Sequence, residues 1–410
     1  MNGNCRHCGS PLQESFCDLG MSPPSNAYLT PAQLQQMEKF YPLHAYVCGD
    51  CFLVQLQEFE SPEQIFSDYA YFSSYSQTWL DHARAYTDYM ISRFGFGKTS
   101  QVVEIASNDG YLLQYFRERG VPVLGVEPAV NVAAVAQKAG IPTLTKFFDT
   151  KTAAELKADG KQADLLLGNN VLAHVPDLND FVRGLKIALK PGGVITMEFP
   201  HLLRLMRENQ FDTIYHEHFS YFSFLTVERV FTHHGLRLFD VEQISTHGGS
   251  LRIFATHAED TDRPAHERVA QLKQEETAAG LAGMQAYRDF SEQVKRTKRL
   301  LLEFLVDAKQ AGKTIAGYGA PAKGNTLLNY CGIRGDFLDY TVDLSPHKQG
   351  KFLPGTHIPV FHPDKVRETR PDYLLVLPWN LRDEIISQMA HIREWGGRFV
   401  LPIPEVQVVQ

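Results

Sequence analysis

The sequence contains no run of roughly 18 apolar residues, the length a helix needs to cross a bilayer. It also lacks an N-terminal charged stretch followed by a short apolar one, so nothing there reads as a secretion signal. Residence in the cytoplasm is the resulting expectation. Cysteine is scarce, and six in 410 residues cannot staple a disulfide scaffold. Positive charge is in deficit. A formal net charge of −7 excludes a broad surface for nucleic-acid polymers or anionic membranes and leaves room only for local basic pockets. Solenoid-period repeats and low-complexity tracts are missing too. What remains is an ordinary globular composition, 44% hydrophobic and 21% charged, on a chain long enough for two or three domains.

The few cysteines are not scattered. Cys5-Arg6-His7-Cys8 and Cys48-Gly49-Asp50-Cys51 form two C-x-x-C pairs with 39 residues between them. Each pair can fold into a knuckle with both thiolates facing one point, and two knuckles close a tetrahedral Zn²⁺ site. Four sulfurs leave no open position for substrate, so Cys5, Cys8, Cys48 and Cys51 are expected to hold a structural zinc. Coincidental pairs or a redox C-x-x-C are the competing readings. Gly9 and Gly49 supply freedom in the knuckle backbones, and other structure must fill the long gap. Cys17 and Cys331 read as plain buried thiols.

Residues 61–95 read as helical, opening on Ser61-Pro62-Glu63. The aromatic stretch that follows is either a helical lid with its aromatics in the core or a set of hydroxyls, Tyr69, Tyr71, Ser73 and Ser74, offered to a polar ligand. Taken alone it reads as core.

From residue 101 the grammar changes. VVEI, VPVLGVEPA, ADLLLGNN and LKPGGVITMEFP are apolar strands alternating with helices. That spacing predicts a parallel sheet in a doubly wound α/β domain. The turn after the first strand, Ser107-Asn108-Asp109-Gly110, brings backbone N–H groups and a helix start to the ligand crevice. The G-x-G-x-x-G pattern of a dinucleotide site is missing, and Glu104 would repel a pyrophosphate. S-adenosylmethionine carries an ammonium, a sulfonium and a ribose diol instead, and suits a carboxylate better. Glu127, 23 residues after Glu104, can accept the ribose hydroxyls. Phe147 and Phe148 end the third strand, where a ring can flank adenine, and Asn169 ends the fourth. Together these resemble a class I S-adenosylmethionine-dependent methyltransferase, with Glu104, Asn108, Gly110, Glu127, Phe148 and Asn169 at the cofactor. Other adenine ligands are served by the same architecture.

Residues 215–222 read YHEHFSYF. A metal site would need a third ligand that nothing nominates, since His216 and His218 are two apart rather than spaced as in H-E-x-x-H. Packing alone is a second reading. The third is acid–base chemistry, with histidine as proton acceptor, a carboxylate partner and a tyrosine donor. His174, at the exit of the fourth strand, lies near the cofactor in this scheme. Two histidines and a tyrosine around one pocket suit methylation of a carbon next to a ketone, where a proton must leave first.

At residue 314 the strand–loop–helix pattern restarts with TIAGYGAPAKGNTLLN. This is a second α/β unit, reached through one or two polar helices after residue 260. Gly317, Gly319 and Gly324 are read as keeping its first turn open for a diphosphate, with Lys323 adding charge and Lys348 and Lys351 in reserve.

The ordered set CRHCG, VCGDC, YAYFSS, VVEIASNDGYLL, NNVLAHVPD, YHEHFSYFS, HGGSLR, GYGAPAKGNTLLN and LPWN resembles the C-methyltransferases of nucleotide-linked keto-deoxysugars, over nearly the whole chain. The resemblance implies three parts: a zinc-binding domain (1–68), a class I methyltransferase domain (69–300) and a C-terminal Rossmann-like α/β domain (301–410). It implies His218 as the base that takes the C3 proton of a 4-keto sugar. Tyr215, Glu217 and His174 then hold the sugar or assist proton transfer. Tyr71 and His247 match substrate-side positions, and Lys323 and Asn325 fall in the C-terminal segment that helps hold the nucleotide. His216 is no part of that pattern and competes with His218. A monomer is expected. The alternatives are a methyltransferase of another carbon acid, such as a polyketide-derived or small dicarbonyl metabolite, and a zinc-bearing assembly module that has lost catalysis.

Overall fold

The computed structural model describes residues 3–59, 61 and 72–410. Tyr69 and Tyr71, and most of the helix expected from residue 61, lie outside the described residues. The described part of that stretch is a single 3₁₀ turn, Ser73–Tyr75, and a helix, Gln77–Phe94, capped by the Ser76 side chain accepting from the Trp79 N–H at 3.3 Å.

Strands follow one another as β1 (Glu14–Ser22), β2 (Tyr41–Val47), β3 (Val54–Leu56), β4 (Val102–Ile105), β5 (Val123–Val126), β6 (Thr143–Leu144), β7 (Ala163–Asn169) and β8 (Leu189–Pro200). Then come β9 (Ser220–Tyr221), β10 (Leu236–Ile244), β11 (Ser250–His257), β12 (Ile315–Tyr318), β13 (Thr341–Val342), β14 (Val360–Phe361), β15 (Tyr373–Val376), β16 (Arg398–Leu401) and β17 (Gln407–Val409). They form three sheets. The seven-stranded one has the order β10-β11-β8-β7-β4-β5-β6. Strands β4 to β8 run parallel, and β11 enters antiparallel between β8 and β10. Every residue of β4 and β5 is buried, as two-sided cover by helices requires. From β4 the chain winds one way through β5 and β6 and the other way through β7 and β8. The ends of β4 and β7 therefore flank the crevice where such sheets bind ligands.

The C-terminal sheet repeats the scheme with the order β14-β13-β12-β15-β16-β17, only β17 being antiparallel. The N-terminal sheet is β1-β2-β3-β9. Its last strand is lent by the methyltransferase segment, because Ser220 and Tyr221 pair with Gln55 and Val54. The zinc-binding part and the YHEHFSYF stretch are thus stitched together by backbone hydrogen bonds.

The expected connector is two helices, Glu267–Ala278 and Met284–Gln310. The second runs unbroken through position 300. Tyr287, Phe290, Val294, Leu301, Leu305 and Ala308 form a buried stripe along it at helical spacing. That stripe joins Phe16, Leu43 and Ala45 of the N-terminal sheet to Leu327, Leu375 and Val400 of the C-terminal unit in one core. A second core joins Cys5, Cys48 and Cys51 to one face of the methyltransferase sheet. Each fully buried Leu, Val or Phe contributes about 1.5–3 kcal/mol, so the three parts are held by shared apolar surface rather than by linkers. A buried polar tie adds to this. Glu276 accepts from the N–H groups of Phe224 and Leu225, at 2.7 and 2.9 Å, and pairs with His201 at 2.7 Å.

Candidate active site

The knuckle sulfurs converge. Sγ of Cys5, Cys8, Cys48 and Cys51 all lie within 4.8 Å of one another, with Cys5–Cys51 at 3.5 Å and Cys8–Cys48 at 3.4 Å. A tetrahedral zinc with bonds of about 2.3 Å separates its sulfurs by about 3.8 Å, so the four thiolates fit the ion. Gly9 adopts the expected left-handed backbone (φ 80°), but in the second knuckle that conformation falls on Phe52 (φ 62°) and not on Gly49. His7 bonds Asn179 at 3.0 Å and stays outside the cluster. β1 and β2 fill the gap between the knuckles. Cys17 and Cys331 are buried free thiols. Metal analysis of the purified protein is expected to give about one zinc per chain, and Cys48→Ser should lower that content together with the melting temperature. A folded, zinc-free wild-type protein would refute the site.

The first knuckle also grips the methyltransferase sheet. Arg6 donates to the Pro176 carbonyl at 2.8 Å, and the Asn179 amide reaches the His7 carbonyl at 2.8 Å. Pro176 and Asn179 lie just after the 3₁₀ turn Leu172–His174.

The crevice at the end of β4 is lined with acceptors. Ala106 and Asn108 have left-handed backbones (φ 55° and 50°), and Gly110 follows at φ 81°. A Cβ on Gly110 would meet Ile141 Cγ1 at 3.0 Å, so the tight turn and the helix packed behind it both require glycine. Asn108 receives the Ser73 N–H at 2.9 Å and Asp109 the Ser74 N–H at 3.1 Å, which ties the segment before helix Gln77–Phe94 over the crevice. Glu127 is held by the Asn108 and Ala129 N–H groups, both at 2.9 Å. Glu104 is fully buried, and its carboxylate is met by the Tyr111 hydroxyl without being fully satisfied. Burial raises its pKa well above the carboxylate range, and Asp109 and Glu127 add to this, while the Tyr111 hydroxyl offsets a part. One oxygen each of Asp109 and Asn169 is also buried and unsatisfied among the described residues. Buried acceptors without donors call for a donor-rich, cationic ligand and would repel a phosphate. The ammonium, sulfonium and ribose diol of S-adenosylmethionine fit that demand. Phe148 ends beside Phe181, ring centroids 5.4 Å apart, on the helix Leu178–Ala188.

Tyr215 to His218 form a tight turn rather than a strand, and β9 begins only at Ser220. The His218 N–H meets the Tyr215 carbonyl at 2.9 Å, which turns the two histidines away from each other. His216 points to the N-terminal sheet, its ring edge-on to Tyr41 (5.9 Å) and Phe59 (6.4 Å) and its Nε2 3.3 Å from the Pro42 carbonyl. It is a packing residue. His218 points the other way. Its Nδ1 lies 3.1 Å from the Thr213 carbonyl, which can only accept, so the proton is on Nδ1 and Nε2 carries a lone pair. The Tyr215 hydroxyl, 2.9 Å away, donates to that lone pair. His174 is fixed in the same way, with Nδ1–H donating to the Glu217 carbonyl at 2.7 Å. The two imidazole centroids are 4.7 Å apart. Burial lowers the pKa of His174 to about 4, and burial with the charges of His174, His247 and Lys323 holds His218 well below the usual imidazole range. Both rings are neutral at pH 7.

The Glu217 carboxylate accepts from Asn26 at 2.7 Å, and its carbonyl accepts from His174 at 2.7 Å. The acceptor that orients His218 is the backbone of Thr213. His247 lies at the mouth of the cleft, bonded to Asn170 at 3.1 Å and 5.2 Å from the Trp79 ring. Lys323 approaches from the C-terminal unit, its Nζ 2.7 Å from Asn380 Oδ1 and 4.5 Å from the Trp379 ring. Asn325, expected at the substrate, is 1% exposed and donates to the Ser25 carbonyl at 2.6 Å. It faces the N-terminal segment because it sits on the packed side of the helix Ala322–Cys331. The glycines of that unit serve packing as well. A Cβ on Gly319 would meet Pro378 at 2.5 Å and one on Gly324 would meet Leu377 at 3.0 Å.

Three nearby residues are given no role by the sequence, although Trp379 falls in LPWN. Trp79 stacks between His82 (4.9 Å) and Tyr111 (6.0 Å). Asp212 is fully buried and receives the Trp379 indole N–H at 2.7 Å. Burial pushes the Asp212 carboxyl up to about 7 against the pull of Lys323 and Trp379.

Comparison with known proteins agrees with this geometry. Residues 5–66 match a zinc binding domain family, residues 79–241 a methyltransferase domain, and residues 245–404 the C-methyltransferase C-terminal domain. C-methyltransferase NovU of Streptomyces niveus is 37% identical over 405 residues, spanning 99% of this chain and 96% of that protein. Ubiquinone biosynthesis O-methyltransferase of Methylobacterium sp. (strain 4-46) is 33% identical over 97 residues, 23% of this chain and 38% of that one. Among solved structures, magnesium protoporphyrin IX methyltransferase from Synechocystis PCC 6803 with bound SAM is similar at a TM-score of 0.34 and 13% identity, over 43% of this chain and 79% of that one. With an acceptor-lined crevice at the β4 end, a four-cysteine cluster and a full-length relative, this chain belongs to the family of S-adenosylmethionine-dependent C-methyltransferases.

Proposed function

We propose that the enzyme methylates the carbon next to the ketone of a nucleotide-linked 4-keto-deoxysugar, at C3, with His218 as the base. The observation that carries this is the His218 ring itself. It is neutral, its tautomer is fixed by Thr213, and its Nε2 lone pair accepts from the Tyr215 hydroxyl in a cluster with the His174 ring. A methyltransferase of oxygen needs no such arrangement as strongly as one that must first break a C–H bond. S-adenosylmethionine, held by Glu104, Asn108, Gly110, Glu127 and Asn169, supplies an electrophilic methyl group when bound. Phe148 flanks its adenine.

The residues of this chain do the remaining work. Tyr215 steadies Nε2 and gives way to the sugar, His174 lines the second side of the pocket, and Glu217 fixes His174 through its carbonyl. Tyr71, which lies outside the described residues, and His247 are assigned to the sugar, and Lys323 brings positive charge from the nucleotide side. In this reading the enzyme is a cytoplasmic monomer, and its domains fall at 1–68, 69–300 and 301–410. No helix among the described residues is long and apolar enough to cross a membrane.

A second reading, a smaller carbon acid such as a dicarbonyl, is favoured by the packing of Pro378 and Leu377 against Gly319 and Gly324, which narrows the loop a diphosphate would use. Labelled cofactor incubated with thymidine- and uridine-diphosphate 4-keto-6-deoxyhexoses, and separately with small 1,3-dicarbonyls, decides between them. Methyl transfer to a nucleotide sugar, with the new carbon–carbon bond at C3 by NMR, is the expected result. A methyl at C5, the other carbon next to the ketone, would overturn the regiochemistry. Turnover of the dicarbonyls alone would overturn the sugar.

A further inference from the structure

We propose that Lys323 is a catalytic residue whose ammonium stabilises the enolate oxygen formed when His218 takes the proton, so that the reaction centre is built from both α/β units. The inference rests on the base assignment above and gives Lys323 a role at the reacting ketone rather than at the nucleotide.

The placement follows from the helix Ala322–Cys331. Lys323 and Thr326 are three residues apart and share a face. Thr326 donates to the Ile214 carbonyl at 3.1 Å, so that face lies on the segment that carries Asp212, Thr213 and Tyr215. Thr213 is the residue that orients His218. Lys323 is not free to swing away. Trp379 lies beneath its ammonium and is itself locked, by its indole N–H to Asp212 and by contact with Gly248, where a Cβ would meet Trp379 Cη2 at 2.9 Å. Asn380 takes one of the ammonium's three donors at 2.7 Å. That acceptor is neutral, and the opposite charge that acts on Lys323 is the buried Asp212 carboxyl, itself pushed up to about 7 and bonded to Trp379. A largely buried cation facing a carboxyl that resists ionisation is costly unless a ligand brings negative charge.

The chemistry needs such a group. The α C–H of a ketone is a far weaker acid than imidazolium, so a neutral histidine removes it only if the oxygen that gains charge is stabilised. The C–H bond breaks, its proton goes to His218 Nε2, and its electron pair becomes the enolate with charge on the carbonyl oxygen. That pair then forms the new C–C bond to the methyl, whose bond to the sulfonium breaks with its electrons left on sulfur. The His218 proton passes to solvent, so one proton is released per turnover.

The test separates enolisation from methyl transfer. Thymidine-diphosphate 4-keto-6-deoxyglucose is incubated in D₂O with S-adenosylhomocysteine and the wild type, Lys323→Met, Lys323→Arg or His218→Asn enzyme, and deuterium at C3 is read by NMR. Steady-state kcat and KM, substrate affinity and melting temperature are measured alongside. Lys323→Met should lower both exchange and kcat by about 10²–10³-fold, with substrate affinity changed less than kcat, and Lys323→Arg should recover a part. A folded Lys323→Met enzyme with unchanged kcat overturns the proposal, and a matching rise in KM would return Lys323 to the nucleotide. Exchange that persists in His218→Asn sinks the base reading instead, while the kcat–KM split still decides for Lys323.

Discussion

His218→Asn is expected to lose methyl transfer by about 10²–10⁴-fold, the range over which a positioned general base acts, while cofactor affinity stays nearly unchanged. The substitution is chosen for what it keeps. The asparagine amide can still donate to the Thr213 carbonyl, which now holds Nδ1–H at 3.1 Å, so the turn from Tyr215 to His218 survives. What disappears is the Nε2 lone pair. The residues assigned to the cofactor, Glu104, Asn108, Glu127 and Asn169, lie at the ends of β4, β5 and β7 rather than in the Tyr215–His218 turn, so in the proposed reading binding of the cofactor should not notice the change. His216→Asn is the control: that ring packs on Tyr41 and Phe59, and its loss should affect stability rather than turnover. Because burial holds His218 well below the usual imidazole range, the wild-type base keeps its lone pair in mildly acidic solution. The acid limb of kcat/KM should therefore lie below about 6.5. A fully active, folded His218→Asn enzyme would sink the assignment.

Much of this site is written in local sequence, and the remainder is not for identifiable reasons. The parallel strands β4, β5, β7 and β8 announce themselves as short apolar runs because both sheet faces are covered. β10 and β11 do not. They carry Asp240, Glu242 and Arg252 among their apolar residues, charges that become tolerable only once Arg252 reaches Glu198 and Glu242, at 2.6 and 3.1 Å, and Arg93 and Arg268 reach Asp240, both at 2.5 Å. β9 has two residues and exists only because β3 offers an edge, which no local pattern encodes. The zinc ligands were legible because C-x-x-C constrains its own geometry. The roles of His216 and Glu217 were not, since a turn, unlike the alternation of a strand, sends neighbouring side chains to different domains. Asp212 and Trp379 are 167 positions apart, and although Trp379 belongs to LPWN, Asp212 belongs to no motif. Only the docking of the C-terminal unit makes them neighbours. Asn325 misled for the opposite reason: it sits in a recognisable glycine-rich stretch, yet its side chain faces the core.

Glu104→Gln is expected to make the protein more stable and the enzyme worse. The carboxyl is buried at the end of β4, where the Tyr111 hydroxyl meets it without fully satisfying it. Burial, reinforced by Asp109 and Glu127, raises its pKa well above the ordinary value of 4.5. The sign for stability follows directly. The unfolded group ionises near 4.5 while the folded one resists, so the folded state suffers no penalty below that pH and loses stability as pH rises from there toward the folded pKa. Glutamine removes the titration. The variant should match the wild type in acid and exceed it in melting temperature at neutral pH, by a few degrees for each kcal/mol relieved. Cofactor binding should move the other way. An ammonium entering the crevice finds a carboxylate that ionises to meet it, and losing one partner of a buried charge pair costs about 2–5 kcal/mol, or roughly thirtyfold to a few thousandfold in affinity. The wild type should also release a proton on binding near the folded pKa of Glu104, visible in calorimetry as a heat that depends on the buffer's ionisation enthalpy. Glu104→Gln should lose that dependence. A variant that binds S-adenosylmethionine as tightly as the wild type would remove Glu104 from the cofactor site. One that melts lower at neutral pH would show that the carboxylate is needed by the fold, and that its burial is structural rather than a cost borne for the ligand.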